Sequence, residues 1–376
     1  MLRRFTKARL AVAIGAAALL LPLSAVSASA APDPGDAPAG KLAIEMGKPQ
    51  EVTTLKKDSF GTKALDCSEG QFVLSRMESC SAWLIPVIYT LNEVPVGTAN
   101  LHSVVKSKVD PRDRNNTKYD ITLKLTDPTH WGGLATTGSV GFECNYCDIN
   151  ESTDRYLVPD VAASYEMTVK SPGKANVTDS IRPYATLDAP RHDSGSALIG
   201  DTLRPRCDNT PRITPVSKGG CVYPEIPALW EIDLKNPRVD SVGWHVLWAQ
   251  KNLKQPWGVP GTRYTLSRTF NEGIQNANRS AACGADVPRP PNRPDLTCDE
   301  YPFAQTYEGA SRNPDYSCHF LDGRDNSREG SLRKANLNGQ RTLEADSFYV
   351  RVINVPSTAE QRKQFAAMGP VGCGSD

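Results

Sequence analysis

The sequence predicts an α+β protein, in which an N-terminal antiparallel β-sandwich-like domain is followed by a smaller domain of mixed strands and helices. Two patterns carry this prediction. Between about residues 61 and 190, short segments of alternating apolar and polar residues recur between Pro, Gly, Asn and Asp, which is typical of β-sandwiches. After residue 200 the period changes, and apolar residues at helical spacing first occur in Asp240–Leu253.

Composition excludes several classes of protein. The chain has 376 residues, of which 39% are hydrophobic, and its formal charge is +1. This hydrophobic content excludes wholesale disorder and a polytopic membrane protein. The balance of charge also argues against a strongly basic nucleic-acid binder, unless the bases are concentrated in one part of the chain.

The first 30 residues have the three parts of a secretory signal peptide. Four bases precede an apolar run of about 14 residues, and the chain then reads Ala28-Ser29-Ala30. An uncleaved membrane anchor is the alternative, but the run is short for a membrane span. We therefore expect cleavage after Ala30, a secreted product and no membrane anchor. Removal of four bases and no acid changes the formal charge from +1 to −3.

All ten cysteines follow this cleavage site, and an even number in an exported chain indicates up to five disulfides. Cys207 and Cys221 enclose a short polar loop and are expected to pair. Cys144 and Cys147 form a CxxC motif, for which zinc binding and thiol redox chemistry are alternatives. Since no second ligand pair and no strand–helix context accompanies this motif, we expect a structural disulfide.

After a flexible segment over residues 31–60, the β-rich domain is predicted to span residues 61–190. The clearest strand contains Tyr119, Ile121, Leu123 and Leu125, which alternate with polar residues. Four further strands are predicted, at Trp83–Tyr89, Ser139–Cys144, Tyr165–Val169 and Tyr184–Leu187.

A second domain is predicted over residues 200–376. It begins with irregular chain and continues with the helix Asp240–Leu253. A connection rich in Gly, Pro and Asn is then expected up to about Arg293. Near the C-terminus, Ser347–Ile353 is predicted as a strand and Thr358–Met368 as a helix.

Several common catalytic motifs are absent from the sequence. No HExxH or HxxxH spacing occurs among the five histidines, which excludes the usual zinc hydrolases. His245 is expected to be a packed or surface residue of its helix. Walker, GxGxxG and Gly-x-Ser-x-Gly motifs are also missing, so that no nucleotide cofactor is expected.

Two adjacent carboxylates stand beside a cysteine in Cys298–Ala304, which reads Cys-Asp-Glu-Tyr-Pro-Phe-Ala. Neighbouring residues of a strand point to opposite faces. Asp299 and Glu300 therefore share a site only if the strand ends at Pro302.

A second polar motif, Arg-Asp-Asn-Ser-Arg-Glu-Gly-Ser, occupies residues 324–331. Asp325 or Ser327 is expected to cap a helix here. Asn326 offers an amide oxygen to a hard cation such as Mg²⁺, and the two arginines offer forked hydrogen bonds to phosphate. The alternative is a capped helix with a solvated run of charges.

With these two motifs the sequence resembles the NucA/NucB family of secreted bacterial deoxyribonucleases. Asp299–Ala304 matches the Asp-Glu-aromatic-Pro-x-Ala segment of that family, and Glu308-Gly309 matches a Glu-Gly pair that follows it. Four residues match a downstream Asp-Asn-x-x-x-Gly-Ser segment: Asp325, Asn326, Gly330 and Ser331. The resemblance covers about residues 200–353 and leaves out the β-rich domain.

The resemblance implies a small ββα-metal-type nuclease domain that hydrolyses DNA with little sequence preference. Asp299 would be the general base, acting with Glu300 and Asn326 as the catalytic residues. The implied ligands of one Mg²⁺ or Mn²⁺ are Glu300, Glu308 and Asn326. The implied phosphate contacts are Arg324, Arg328 and Ser331. The expected partner is DNA, and the chain is expected to act as a monomer.

The distribution of charge agrees with this interpretation. Between residues 324 and 341, five bases stand against Asp325 and Glu329, and local bases of this kind neutralise DNA phosphates. Two alternatives remain open. One is a secreted adhesion or binding protein whose nuclease domain is degenerate, and the other is a nuclease toxin against rival cells.

Overall fold

The computed structural model describes residues 41–49, 54–57, 65–129, 136–150, 152, 154–173, 175–213, 218–285 and 287–368. The predicted signal peptide and most of the predicted flexible segment lie outside these residues. The described part of the chain is mostly β, with 21 strands and four helices.

Fourteen of the strands precede residue 200: β1 (Leu42–Met46), β2 (Thr54–Lys57), β3 (Gln71–Leu74), β4 (Glu78–Leu91), β5 (Val94–Lys108), β6 (Thr117–Thr126), β7 (Thr137–Glu143), β8 (Asp148–Ile149), β9 (Arg155–Tyr156), β10 (Ala163–Lys170), β11 (Val177–Thr178), β12 (Arg182–Asp188), β13 (His192–Asp193) and β14 (Gly195–Leu198). The elements after residue 200 mix strands and helices: β15 (Arg206–Asp208), β16 (Gly220–Val222), β17 (Ala228–Asp233), α1 (Asp240–Asn252), β18 (Leu266–Ser267), α2 (Glu272–Cys283), β19 (Leu296–Tyr301), β20 (Ser317–Asp322), α3 (Gly323–Gly339), β21 (Ser347–Ile353) and α4 (Thr358–Met368).

The N-terminal part is built on a curled sheet of nine strands and a second sheet of four. One apolar core takes side chains from both sheets. In β6 the predicted alternation is confirmed, since Tyr119, Ile121 and Leu123 are at most 1% exposed. Three of the other four predicted strands lie within observed strands, and the fourth, Ser139–Cys144, extends one residue beyond the end of β7.

Two strand pairs of this part are parallel, and each of them includes a strand outside the predicted span of residues 61–190. β1 pairs with β13, and β2 with β3, in parallel orientation. A tight turn forces two successive strands to run antiparallel, whereas strands joined through a longer stretch of chain are free of that constraint. Neither of these pairs is closed by a tight turn.

The expected connection up to about Arg293 is also wrong, because it contains the helix α2. The Asn271 side chain caps this helix by accepting a hydrogen bond from the Ile274 backbone nitrogen, at 3.2 Å. Asn278 and Ala282 are the two buried residues that the structure describes in α2. Its apolar residues do recur at helical spacing, but the Gly, Asn and Pro residues of the predicted connection favour a loop.

The C-terminal part has its own apolar core, to which α1, α3 and the neighbouring strands contribute. β21 lies between β17, its parallel partner, and β18, its antiparallel partner. β19 and β20 form a separate antiparallel pair. The helix α3 starts directly after β20 and packs on this pair together with α1.

Buried arginines join the segment after α3 to the rest of the fold. Arg76 and Arg206 both bind the Asp346 carboxylate, at 3.0 and 2.6 Å, and both donate to the carbonyl oxygen of Arg341. Arg341 itself is fully buried and forms an ion pair with Asp208, which is also fully buried. Lys41–Asp376 accordingly forms one compact unit.

Acid is expected to weaken this buried network. Burial by itself would raise the pKa of Asp208, but hydrogen bonds from Arg341 hold it below its ordinary value. Burial and Arg206 oppose each other in the same way at Asp346, and its pKa is again lowered. Such groups stabilise the folded chain above their unfolded pKa of about 3.9, and this stability is lost as the pH falls through the folded pKa.

We therefore expect the free energy of unfolding, measured by urea titration, to decrease as the pH is lowered below about 4. Between about pH 5 and 7 these two carboxylates should contribute no pH dependence. A free energy of unfolding that increases from pH 5 to pH 3 would contradict the role given to them.

Candidate functional site

The pair β19–β20 directs the two adjacent carboxylates to opposite faces. Asp299 is buried and bonds to α1, whereas Cys298 forms a disulfide with Cys283 at the end of α2. Glu300 lies on the Cys298 face, with its Oε2 atom 3.7 Å from the Cys283 sulfur. Both residues lie inside the strand, which ends at Tyr301, and the alternation of side chains along it places Asp299 and Glu300 on opposite faces.

Asp299 belongs to a buried hydrogen-bonded chain. Its Oδ2 atom lies 2.7 Å from Nδ1 of His245, and Nε2 of the same ring lies 3.0 Å from Oγ of Ser317. His245 is 0% exposed, and the Asp299 side chain is 6% exposed. Its Oδ1 atom accepts no hydrogen bond from the residues that the structure describes, which leaves this oxygen able to accept a proton.

The N-terminus of α3 is tied to the same strand. Nδ2 of Asn326 donates to Thr297 Oγ1 and to the Cys298 carbonyl, both at 3.2 Å, one residue from Asp299. The predicted caps Asp325 and Ser327 are wrong, because Asp322 accepts the hydrogen bonds from the first turn. Because β20 continues directly into α3, the last residue of the strand, Asp322, serves as the N-cap of the helix.

Glu329 adds a further buried carboxylate from α3. Its Oε1 atom accepts hydrogen bonds from Trp230 Nε1 at 2.8 Å and from Arg333 Nε at 2.9 Å. Burial raises the pKa of Glu329, the Arg333 charge opposes this, and the Asp299 charge adds to it. The Arg333 guanidinium also lies 3.6 Å from the centre of the Phe303 ring, a distance at which a cation is attracted to an aromatic face.

Glu300 and Glu308 are both half-buried, and the pKa of each is raised above its ordinary value. Burial, followed by the neighbouring Asp299 charge, raises the pKa of Glu300 to about 7. Burial also raises the pKa of Glu308, whose Oε2 atom accepts a hydrogen bond from the Ser267 backbone nitrogen at 2.8 Å. A bound cation would favour the ionised form of both groups.

The predicted phosphate contacts lie on the solvent face of α3. Arg324, Arg328 and Ser331 are exposed and stand four and seven residues apart, which places them on one side of the helix. At about 100° per residue, Asn326 lies roughly opposite Arg328. The structure therefore brings Asn326 close to Asp299 and places these three side chains on the other side of the helix.

The chemistry of the implied cation ligands fits a divalent cation. Glu300, Glu308 and Asn326 offer oxygen atoms, which Mg²⁺ and Mn²⁺ prefer. Within the described ranges, however, the one group of three His, Cys, Asp or Glu side chains with ligand atoms within 4.8 Å of one another is Cys144, Cys147 and Asp179. Glu300 and Glu308 belong to no such group, so the described residues form no preformed cluster of three carboxylates near Asp299.

The group at Cys144 and Cys147 is not a candidate thiolate site, because the two cysteines form a disulfide. Asp179 instead accepts hydrogen bonds from the backbone nitrogens of Asn145 and Tyr146, both at 3.0 Å. The predicted disulfide in the CxxC motif is confirmed. The predicted pair Cys207–Cys221 is confirmed as well.

These features define a candidate hydrolytic site on an antiparallel strand pair and the helix that follows it. Residues 260–351 match the family model described as Deoxyribonuclease NucA/NucB. The match includes Asp299–Ala304 and residues 325–331, and it supports a nuclease domain with DNase activity in the C-terminal part of the chain. It is narrower than the predicted span of residues 200–353. A comparison with curated protein sequences gives no match.

Two residues near Asp299 were not recognised as site residues from the sequence. Trp230 precedes the matched span and reaches Glu329 across 99 positions. His245 lies 54 positions before Asp299. The signal available for His245 was its place on the apolar face of its helix, three residues after Val242 and four before Ala249, where a polar side chain requires a partner.

Proposed function

We propose that the protein is an exported endodeoxyribonuclease that hydrolyses phosphodiester bonds with little sequence preference. The observation that carries this proposal is a contact between β19 and α3. Asn326 of α3 donates a hydrogen bond to the carbonyl of the residue before Asp299, within the span that matches the NucA/NucB deoxyribonucleases. Four disulfides among the described residues suit an oxidising compartment. None of the helices in the described ranges has the length and apolar character needed to cross a membrane.

Asp299 acts as the general base in the proposed mechanism. Its Oδ1 atom takes a proton from a water molecule, the water oxygen forms a bond to phosphorus, and the bond to the leaving 3′ oxygen breaks. The hydrogen bond from His245 holds the other carboxylate oxygen, at 2.7 Å. At 6% side-chain exposure, most of the Asp299 side chain is shielded from water, which strengthens local electrostatic interactions.

Glu300, Glu308 and Asn326 would hold one Mg²⁺ or Mn²⁺. When bound, such a cation stabilises the negative charge that develops on the transferred phosphate. Asn326 also has a structural role, because its amide nitrogen donates hydrogen bonds that link α3 to the strand that carries Asp299.

The exposed face of α3 is the proposed contact for the DNA backbone. Arg324 and Arg328 offer charge-assisted hydrogen bonds to phosphate oxygens, and Ser331 is exposed beside them. Contacts of this kind carry no sequence information, which agrees with cleavage of many sequences. Because they release counterions, binding should weaken as salt is raised.

Purified protein is expected to nick and linearise a supercoiled plasmid when Mg²⁺ or Mn²⁺ is present. Excess EDTA should abolish the cleavage, and restored Mg²⁺ or Mn²⁺ should recover it. Agarose gels of plasmid time courses measure both effects. A preparation whose thermal unfolding shows a folded protein, and which cuts no DNA with either cation, would contradict the proposed function.

A further inference from the structure

We infer that His245 of α1 is the residue that positions the proposed base, Asp299, and that it works together with Ser317. This inference rests on the proposed function. It extends the working site to a helix that ends at Asn252, before the family match begins at residue 260.

The first observation is the hydrogen-bond geometry. An ionised carboxylate offers acceptors only, so Nδ1 of His245 must carry the proton that it shares with Asp299 Oδ2, at 2.7 Å. Nε2 can then accept a hydrogen bond from the Ser317 hydroxyl, at 3.0 Å. Both ring nitrogens have a partner, and together the two partners fix the orientation of the ring.

The second observation is that Asp299 has few other constraints. Among the described residues, His245 is the one side chain that donates a hydrogen bond to the Asp299 carboxylate. The donor on α1 is therefore what holds one oxygen of the base in a fixed direction.

The third observation is complete burial. His245 is 0% exposed, and it lies on the same helix face as Val242 and Ala249, which are also 0% exposed. Because the ring is buried and hydrogen-bonded at both nitrogens, its position follows that of α1, and so does the direction of its hydrogen bond to Asp299 Oδ2. In a general base, a misplacement of about 1 Å can cost about 100-fold in rate.

The chain contains a matched control in its β-rich part. His102 makes the same pair of contacts, through Nδ1 to Glu69 at 2.8 Å and through Nε2 to Thr126 at 3.0 Å. It lies in β5, outside the family match. His102→Gln and His102→Ala therefore test whether loss of any carboxylate–imidazole–hydroxyl chain disturbs activity, and we expect both to leave cleavage unchanged.

The decisive experiment compares three replacements of His245 by kcat and KM on a fluorescent DNA duplex with Mg²⁺. In Asn, the amide nitrogen falls where Nδ1 stood, whereas in Gln it falls closer to the place of Nε2. We expect His245→Gln and His245→Ala to lower kcat about 10–100-fold, as removal of an orienting partner typically does, with little change in KM. His245→Asn should recover most of kcat.

Thermal unfolding of each variant separates positioning from folding. A purely structural histidine would lower activity in proportion to the folded fraction, and Asn would recover no more than Gln. If the His245 variants do not fold, Ser317→Ala serves instead, because it removes the Nε2 partner and keeps the Asp299 contact. It should lower kcat with KM unchanged, and an unchanged kcat overturns the inference.

Failure of the inference can be distinguished from failure of the proposed function. A wild-type protein that cuts the duplex, together with a folded His245→Gln variant of wild-type kcat, overturns the inference alone. A folded wild-type protein that cuts no duplex with Mg²⁺ or Mn²⁺ contradicts the proposed function and the inference with it.

Discussion

Replacement of Asp299 by Asn is expected to lower the initial rate of plasmid cleavage about 10²–10⁴-fold, the range that a general base contributes. The amide of Asn cannot take the proton from water at neutral pH. Its carbonyl oxygen can still accept the hydrogen bond from His245, so the buried chain to Ser317 stays intact. The loss should therefore appear in kcat, with KM and thermal unfolding close to those of the wild type.

Asp295→Asn is the matched control for this change. Asp295 lies four residues before Asp299, just ahead of β19, and its partner Arg293 is exposed. We expect this variant to cut plasmid at the wild-type rate. An Asp299→Asn variant that is folded and retains more than about a tenth of wild-type kcat would show that another group takes the proton.

Replacement of Arg341 by Met is expected to lower the free energy of unfolding by about 3–5 kcal/mol, the cost of leaving one member of a buried ion pair alone. Arg341 and Asp208 are both 0% exposed. Arg341 also donates to the Pro111 carbonyl at 3.0 Å and, through Nε, to Asp208 Oδ2 at 3.0 Å. Urea titration with tryptophan fluorescence measures the change.

Two variants show whether the effect arises from an unpaired charge. Adding Asp208→Leu to Arg341→Met removes the stranded carboxylate, and this double variant should recover part of the lost stability. Arg293→Ala breaks the exposed pair with Asp295 and should leave the unfolding midpoint unchanged. A single Arg341→Met variant within about 1 kcal/mol of the wild type would contradict the importance given to the buried pair.

The stability of this pair matters for the candidate site because Arg341 lies two residues after the end of α3. α3 carries Asn326 and Glu329 nearer its other end, against β19. The Arg341 guanidinium binds Asp208 and the Pro111 carbonyl, neither of which belongs to the candidate site. Variants at Arg341 should therefore lower the amount of folded enzyme and leave kcat per folded molecule unchanged.

Local periodicity explains which elements could be predicted. β6 and β21 bury alternate residues, and the sequence records that alternation directly. The expected Ser347–Ile353 and Thr358–Met368 agree with the observed bounds of β21 and α4. α2 was not predicted, although apolar residues recur at helical spacing in its sequence. The residue composition of its segment instead favoured a connection.

The sequence by itself determined the positions of most strands, two of the disulfides, and the two motifs that carry Asp299 and Asn326. These features depend on residues that are close together in the sequence, so a local pattern is sufficient to reveal them. Only the tertiary structure decided that Asp299 faces His245, that Glu300 faces α2, and that Trp230 reaches Glu329. Contacts between residues 54 and 99 positions apart depend on how separate elements pack, and no local pattern encodes that packing.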